Sequence, residues 1–578
     1  MRTNSVNKIL KRIRPYSGLL ILAMLSAIIS VSLTLLIPVL VGRAIDNIVA
    51  RGEVYFDAVL QIIIYIAVAI VGVSVCQWLM NYLVNVISYR TVRDLRRDIF
   101  RKLNSVPLSY IDSHSHGDLI SRVINDVDAV GDGLTQMFLQ LFSGVVTIVG
   151  TLIFMLAIDW RIAIAVFLLT PLSLFVAAFI GKLSHKRFTE QQILQGEISS
   201  FVEEHVGNQR IVKAFSYENR AFEGFEKYNS RLLEVGFKAQ FAGALANPGT
   251  RFVNSLVYAA VGIIGALTVI SGTLSIGGLS CFLTYANQYT KPFNEVTGVL
   301  TQLQTGLAAA TRVFEVLEAE DETPDKSKDR LLSLCRGDVK IENVSFSYTP
   351  DKPLIKNFSL DVKSGSHVAI VGPTGCGKTT LINLLMRFYE VDSGRILLDG
   401  VDIRDMSRDE LRRCYGMVLQ DSWLFSGTIM ENLRYGNENA TDDEIIAAAK
   451  AAHAHSFIRK MPEDYDTVIS EDGGNLSQGQ KQLLCIARAM LTNPSVLILD
   501  EATSSIDTLT EIRVQKAFAK MMKGRTSFVV AHRLSTIKES DVILVMKDGN
   551  IIEQGTHDEL LAKGGFYKKL YNSQFASA

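Results

Sequence analysis

Five stretches of the chain contain no Asp, Glu, Lys or Arg: residues 15–42, 58–89, 133–158, 162–181 and 252–290, with lengths of 28, 32, 26, 20 and 39 residues. A helix rises about 1.5 Å per residue and needs about 20 apolar residues to cross roughly 30 Å of hydrocarbon. Four stretches therefore suffice for one crossing each. The longest suffices for two, folded back at Ser271-Gly272-Thr273-Leu274-Ser275, a run of turn-forming residues. The pattern predicts six spanning helices at 15–42, 58–85, 133–158, 162–181, 246–270 and 276–300, all within a membrane domain of residues 1–318. Long core helices of a soluble protein are the competing reading, but such helices rarely reach about 25 uncharged residues.

The segments between the spans set the orientation. Residues 1–14, 90–132 and 182–251 carry five, seven and ten Lys or Arg, against two in 43–57 and none in 271–275. Basic loops stay on the cytoplasmic side, so both termini are predicted to be cytoplasmic. The first span is too long for a signal peptide and lacks a small-residue cleavage site, so it should be retained. Segments 90–132 and 182–251 keep a helical apolar spacing, as at Ile211, Phe215, Phe222 and Phe225. They predict helices that run on into the cytosol and turn near Pro107–Asp118 and Val212–Phe222. Such turns suit contact with a cytoplasmic domain, or are plain amphipathic connectors.

Past residue 318 the composition changes. Charged residues are 50 of the first 320 positions but 68 of the remaining 258. Residues 319–338 are polar and contain proline, as linkers do, and residues 339–578 form a second domain. Its β-rich runs, Val339–Ser347 and His367–Val371, alternate with helical ones, which indicates an α/β fold. The whole chain balances 59 basic against 59 acidic residues with 48% hydrophobic content, which argues against a nucleic-acid binder or a disordered chain. Six cysteines without a CxxC pair fit neither a disulfide framework nor a zinc site and point to reduced thiols.

The second domain carries the chemistry. Gly372-Pro373-Thr374-Gly375-Cys376-Gly377-Lys378-Thr379 fits G-x-x-x-x-G-K-[ST] between the strand-like His367–Val371 and a helical run from Thr380 to Phe388. Glycines let backbone N–H groups wrap phosphates, Lys378 reaches the β- and γ-phosphates of ATP, and Thr379 offers a hydroxyl to Mg²⁺. A second apolar run, Val496–Leu499, ends in Asp500-Glu501. Asp500 is placed to hold Mg²⁺ through water, and Glu501 to polarise the attacking water. Alone, an Asp-Glu strand end is weak evidence; beside a phosphate loop it is strong.

Leu476-Ser477-Gln478-Gly479-Gln480, lying between the phosphate loop and Asp500, resembles the LSGGQ signature of ABC transporters. With it the chain resembles exporter-type half-transporters, a six-helix membrane domain followed by an α/β P-loop ATPase domain of the ABC type. The resemblance implies that Tyr348 stacks on adenine, that Thr380 belongs to the ATP site, and that Gln420 links the Mg²⁺ site to the membrane domain. It implies that His532 contacts the γ-phosphate, that Ser504, Ser505 and Asp507 lie in a loop crossing between two ATPase domains, and that Thr467–Gly473 senses a partner's membrane turns. It also implies that two ATPase domains meet head to tail, each ATP lying between one phosphate loop and the other domain's signature. Singly, such a Tyr, Gln or His is more often structural; their order and spacing favour the site.

Two positions depart from the family pattern. Gln478 stands where LSGGQ has glycine, while Glu501 and His532 keep the active pattern. That combination resembles the competent half of bacterial heterodimeric multidrug exporters and implies a second, different half-transporter chain in a bacterial cell membrane; a homodimer that tolerates glutamine is the alternative. Cys376 stands where serine is common, either as a reactive thiol beside Lys378 or as a small filler. Tyr285, Asn287, Gln288, Tyr289, Lys291, Asn294 and Glu295 form a polar set in and beyond the sixth span that is costly against lipid and suits a cavity or a partner helix. The resemblance implies ATP-driven export of hydrophobic, drug-like compounds. Lipid or peptide export, or an ATP-gated channel or regulator, are the other readings.

Overall fold

The computed structural model describes residues 2–49, 55–325, 335–349, 351–419, 422–470, 473–500, 506–530 and 537–575. The chain divides into two units, one of residues 1–105 and 114–319, the other of residues 106–113 and 320–578.

The first unit is helical throughout. Four helical stretches, Ser5–Ile48, Phe56–Leu103, His116–Ile158 and Glu218–Ile270, are long and apolar enough to cross a membrane, searched over the described residues. They contain the first, second, third and fifth predicted spans. The fourth and sixth predicted spans fall in the continuous helices Trp160–Gly207 and Ile276–Leu317, of 48 and 42 residues. At about 1.5 Å per residue these helices far exceed the hydrocarbon thickness, as the amphipathic flanks foretell. Much of the apolar surface is uncovered: on Phe56–Leu103, Leu60, Ile64, Val68 and Val71 are exposed while Leu83, Val84 and Ile87 are buried. A helix that leaves a long apolar length uncovered in this way is what a lipid surrounding allows.

Local chemistry ends these helices where the sequence turns. Asp159 takes an extended conformation and accepts from the Arg161 backbone N–H at 2.8 Å, starting Trp160–Gly207. Gly272 adopts φ +79° in the 271–275 turn, and Ser275 caps Ile276–Leu317. Asp46, on Ser17–Val49, completes that cap by accepting from Ser275 Oγ and from the Gly277 N–H, both at 2.8 Å. The sixth long helix touches its neighbours through glycine at two places. A Cβ at Gly277 would stand 2.0 Å from the Gly42 carbonyl oxygen, and one at Gly306 would stand 3.2 Å from the Gly133 Cα. Small residues let membrane helices approach this closely.

The second unit contains twelve strands among its described residues. A six-stranded sheet has the order β12-β11-β3-β10-β9-β6, with β3 His367–Val371, β6 Tyr415–Val418, β9 Val496–Asp500, β10 Thr526–Val530, β11 Val542–Lys547 and β12 Asn550–Gly555. All neighbours are parallel except β11 and β12. An antiparallel sheet, β2-β1-β4-β5, is built on β1 Val339–Phe346, β2 Ile355–Val362, β4 Ser393–Leu398 and β5 Val401–Asp402, and β7 Gly427–Thr428 pairs with β8 Val468–Ile469. Alternation along β3 divides the interior. Val368 and Ile370 face a core shared with β1, β2 and the helix Lys378–Leu385, and Ala369 and Val371 face one shared with the helices around Leu433 and Leu484.

Two expectations need correction. The helical run read as Thr380–Phe388 is the helix Lys378–Leu385; it stops early because Arg387 adopts φ +51°. The polar 319–338 segment is not free over its described part. Thr323 and Asp325 are held by Arg408, whose Nη1 reaches the Thr323 carbonyl at 2.7 Å and Asp325 at 2.8 Å, and Asp325 also by Arg387, whose guanidinium, 4% exposed, bonds Glu390, Ile403 O and Met406 O as well.

Candidate nucleotide site and its relatives

β3, β6, β9 and β10 run parallel, so Val371, Val418, Asp500 and Val530 end on one side of the sheet. The carboxyl end of such strands is where α/β sheets bind ligands. The phosphate loop follows Val371 directly, and Gln420, Glu501 and His532 follow the other three ends by one or two positions. Those three residues, with Ser504 and Ser505, lie outside the described residues.

The loop itself is shaped for an anion. Gly377 takes φ +102° and caps Lys378–Leu385; Gly375 takes φ +81°, with nothing within 4 Å of where a Cβ would stand. A Cβ at Gly372 would lie 2.3 Å from Met546 O, so only glycine lets the loop leave the sheet there. Pro373, Thr374 and Thr379 are exposed. Lys378 Nζ donates to the carbonyls of Gly372 at 2.8 Å and Pro373 at 3.1 Å, which parks the ammonium over the loop where phosphate oxygens would compete for it. Cys376 is buried in the core beneath the loop, which favours a filler over a reactive thiol.

Tyr348 is 48% exposed and is braced edge-on by Phe346 and Tyr389, with ring centroids 4.9 and 5.0 Å away. Its hydroxyl donates to Thr380 Oγ1 at 3.2 Å, so Thr380 supports the aromatic ring while Thr379 keeps its hydroxyl open. Mg²⁺ prefers oxygen ligands, keeps several waters and relies on substrate phosphates. Thr379 and Asp500 supply oxygen donors, and no group of three His, Cys, Asp or Glu forms a cage among the described residues. The donor set suits an ion that arrives with the nucleotide.

The signature is a helix start. Ser477 caps Gln478–Leu491 in a capping box: its Oγ accepts from the Gln480 N–H at 3.3 Å, and Gln480 Oε1 accepts from the Ser477 N–H at 2.9 Å. Leu476 is buried below and Gln478 is exposed at the helix tip. Gly479 faces the next element so closely that a Cβ would lie 2.4 Å from Thr510 Cγ2. Asp507 caps Thr508–Met522 by accepting from the Thr510 N–H, which holds its carboxyl below the usual range.

The polar set of the sixth helix is divided. Tyr285 and Tyr289 are buried in the bundle, Tyr285 donating to the Leu35 carbonyl, so they are not cavity residues. Gln288 and Lys291 line a cavity, Asn287 is exposed, and the side chains of Asn294 and Glu295 lie outside the described residues.

Sequence reasoning overlooked Tyr389. Its hydroxyl donates to Asp112 on the short helix Leu108–Asp112, a turn that groups with the ATPase unit; burial first, then Asp112, raises the phenol pKa. A lone Tyr gives no signal of a partner so distant along the chain. The second turn, Val212–Phe222, has Phe215 79% exposed, with Ile211 and Phe222 exposed beside it.

Comparison with known proteins follows the same division. Residues 20–293 match the ABC transporter transmembrane region and residues 355–504 match the ABC transporter family. The uncharacterized ABC transporter ATP-binding protein YfiC of Bacillus subtilis is 40% identical over 570 residues, 98% of this chain and 94% of that one. The fatty acid ABC transporter ATP-binding/permease protein of Mycobacterium tuberculosis is 43% identical over 91% of this chain and 83% of its own. The ATP-dependent lipid A-core flippase of Syntrophus aciditrophicus is 36% identical over 99% and 95%. With the phosphate loop, the signature helix and the apolar bundle in one polypeptide, the chain belongs to the ABC transporter family: it is an integral membrane half-transporter of the exporter type that couples ATP hydrolysis to transport.

Proposed function

We propose that this chain is the hydrolytically competent half of a heterodimeric exporter with six spans and cytoplasmic termini, moving amphipathic compounds out of the cytoplasm or inner leaflet. The observation that carries the asymmetry is Gln478, exposed at the tip of the signature helix where a nucleotide held by another chain would meet it. An amide side chain there crowds the backbone N–H groups that would bind the γ-phosphate, while this chain's own loop, with Lys378, Thr379 and Asp500, is complete. In this reading Glu501 polarises the attacking water, His532 contacts the γ-phosphate and Gln420 reports on Mg²⁺. Ser504, Ser505 and Asp507 meet the partner, which supplies an intact signature.

The uncovered tip at Ile211, Phe215 and Phe222 supports a second chain. The ATPase unit carries a groove of about 320 Å³ lined by Trp423, Tyr435 and Arg488, next to Leu419 and Ser422, on either side of the Gln420 position. An aromatic tip from the other chain fits it. ATP then favours the closed dimer only by its differential affinity for that state. The relatives named for fatty acids and for lipid A-core support an amphiphilic cargo, drug-like or acyl.

The test is the native mass of the complex isolated from its own host, with ATPase activity in lipid before and after Glu501→Gln. A second, different half-transporter and near-complete loss of turnover are expected. Two identical chains with full Glu501-dependent turnover in both sites would refute the asymmetric reading.

A further inference from the structure

Two cysteines meet in the ATPase unit, at the end of the six-stranded sheet opposite the phosphate loop. Cys335 lies just ahead of β1, and Cys414 ends the helix Arg408–Cys414 immediately before β6. One residue holds both backbones. The Ser495 N–H donates to the Cys414 carbonyl at 3.1 Å, and Ser495 Oγ donates to the Cys335 carbonyl at 2.6 Å. Asp399 fixes the approach to β1 by accepting from the N–H groups of Arg336, Gly337 and Asp338 at 2.7, 3.0 and 2.8 Å. The two thiols so placed hydrogen-bond to each other, and Cys414 Sγ also donates to the Glu410 carbonyl at 3.4 Å.

Their surroundings make the two thiols unlike. The bond that the Cys335 S–H gives to Cys414 favours the Cys414 thiolate and lowers its pKa; the same bond, then burial, raises that of Cys335. Cys414 is 8% exposed and Cys335 is half-buried, so only a small reagent passes Cys335 to reach it. Near both sulfurs is the Tyr415 hydroxyl, buried and without a hydrogen-bond partner among the described residues. A favoured thiolate with a second thiol beside it is the arrangement that peroxide oxidises to a disulfide.

We propose that Cys335 and Cys414 form a redox site at which hydrogen peroxide closes an intrachain disulfide, tying the segment ahead of β1 to the Arg408–Cys414 helix. First the Cys414 thiolate attacks one peroxide oxygen. The O–O bond breaks, and the leaving hydroxide becomes water with the proton that Cys414 gave up, the Tyr415 hydroxyl serving as donor on the way. Cys414 is then a sulfenic acid, and no thiolate remains to hold the proton on Cys335. The Cys335 sulfur attacks the Cys414 sulfur, the S–O bond breaks, a second water leaves and the S–S bond forms. Two thiols lose two electrons and two protons, and the peroxide gains both. A dithiol reductant reverses the change.

The experiment uses the complex as isolated, reduced, freed of reductant and exposed to a small molar excess of hydrogen peroxide. Thiols are alkylated after unfolding, and the peptides are mapped by mass spectrometry. A peptide pair joined through Cys335 and Cys414, lighter by two hydrogens and separated again by a dithiol, is expected. Both cysteines still alkylated after peroxide, or a bridge between any other pair, overturns the proposal. The order of steps has its own test. In Cys335→Ser, a 1,3-dione probe should trap a sulfenic acid on Cys414; in Cys414→Ser, Cys335 should stay unlabelled, and the reverse pattern overturns the order. Should the variants not fold, the peptide map of the unaltered complex decides. Amide exchange at residues 336–338 should slow on oxidation and recover on reduction; unchanged exchange with the bridge formed refutes the tether.

Discussion

Arg387 gives the sharpest stability test. Its guanidinium is almost fully buried and holds four partners: Glu390 at 2.9 Å, Asp325 at 3.5 Å, and the carbonyls of Ile403 and Met406 at 3.2 and 3.1 Å. Arg387→Met keeps the length and the left-handed backbone, which costs methionine no more than arginine, and removes every bond. The two carbonyls are worth about 1 kcal/mol each, and the bond to the Glu390 carboxylate about 1.5–3 kcal/mol. The long contact to Asp325, itself about one-third exposed, adds little after screening. Both carboxylates keep Arg408, at 3.0 and 2.8 Å, so they are not stranded. The expected loss is therefore about 3.5–5 kcal/mol, in line with breaking buried ion pairs generally. For a unit of this size that lowers the unfolding midpoint by roughly 7–20 °C. Trp423 is the tryptophan of the ATPase unit, so with Trp78 and Trp160 of the membrane unit replaced by phenylalanine, fluorescence during heating of the full chain in detergent reads that unit's transition. The drop should persist at high salt, because the pair is buried. A shift below about 2 °C, or one abolished by salt, would show that Arg387 holds nothing that matters.

Three further perturbations test other parts of the account. Gly277→Ala sets a methyl group against the Gly42 carbonyl and disturbs the Asp46 cap; it should cost about 1–3 kcal/mol, seen as earlier unfolding of the membrane helices by circular dichroism, and unchanged melting refutes the close crossing. Gly479→Ala drives a Cβ into Thr510 and Ile506; a similar loss in the Trp423 transition is expected together with reduced ATPase, and normal values for both would refute the packing. Tyr389→Phe and Asp112→Ala each remove the bond between the Leu108–Asp112 turn and the ATPase unit; in a double-mutant cycle on cargo-stimulated ATPase the two should be non-additive by about 1.5 kcal/mol, and strict additivity would show that the contact does not couple.

What the sequence discloses depends on how far apart the interacting residues lie. Charge-free runs and 3.6-residue spacing are local signals, and they place every predicted span inside a long helix, while β3 coincides with the run His367–Val371. The phosphate loop and the signature are local too, so Lys378 and Ser477 are found from order and spacing alone. The clamp on Thr323 and Asp325 is not local: its arginines stand 62 to 85 positions away, and a polar Pro-containing stretch gives no hint of them. The Tyr389–Asp112 bond spans 277 positions. Tyr285 misled for a related reason, since a polar-tipped ring in a membrane helix looks wet until its hydroxyl finds the Leu35 carbonyl.

The glycine crossings of the sixth long helix bear on how such a protein changes over evolutionary time. Gly277 and Gly306 lie 29 positions apart, about 44 Å along the axis, and at each the contact is made by backbone rather than by side chains. Gln288 and Lys291 lie between them. A helix anchored at both ends by contacts that depend on the glycines alone is free to vary its middle, because exchanging a lining side chain leaves both anchors intact. The scaffold and the lining can therefore drift separately, a polar position being rewritten while the bundle stays assembled. Selection for a new cargo would then act on a few replaceable surfaces, with little penalty in folding.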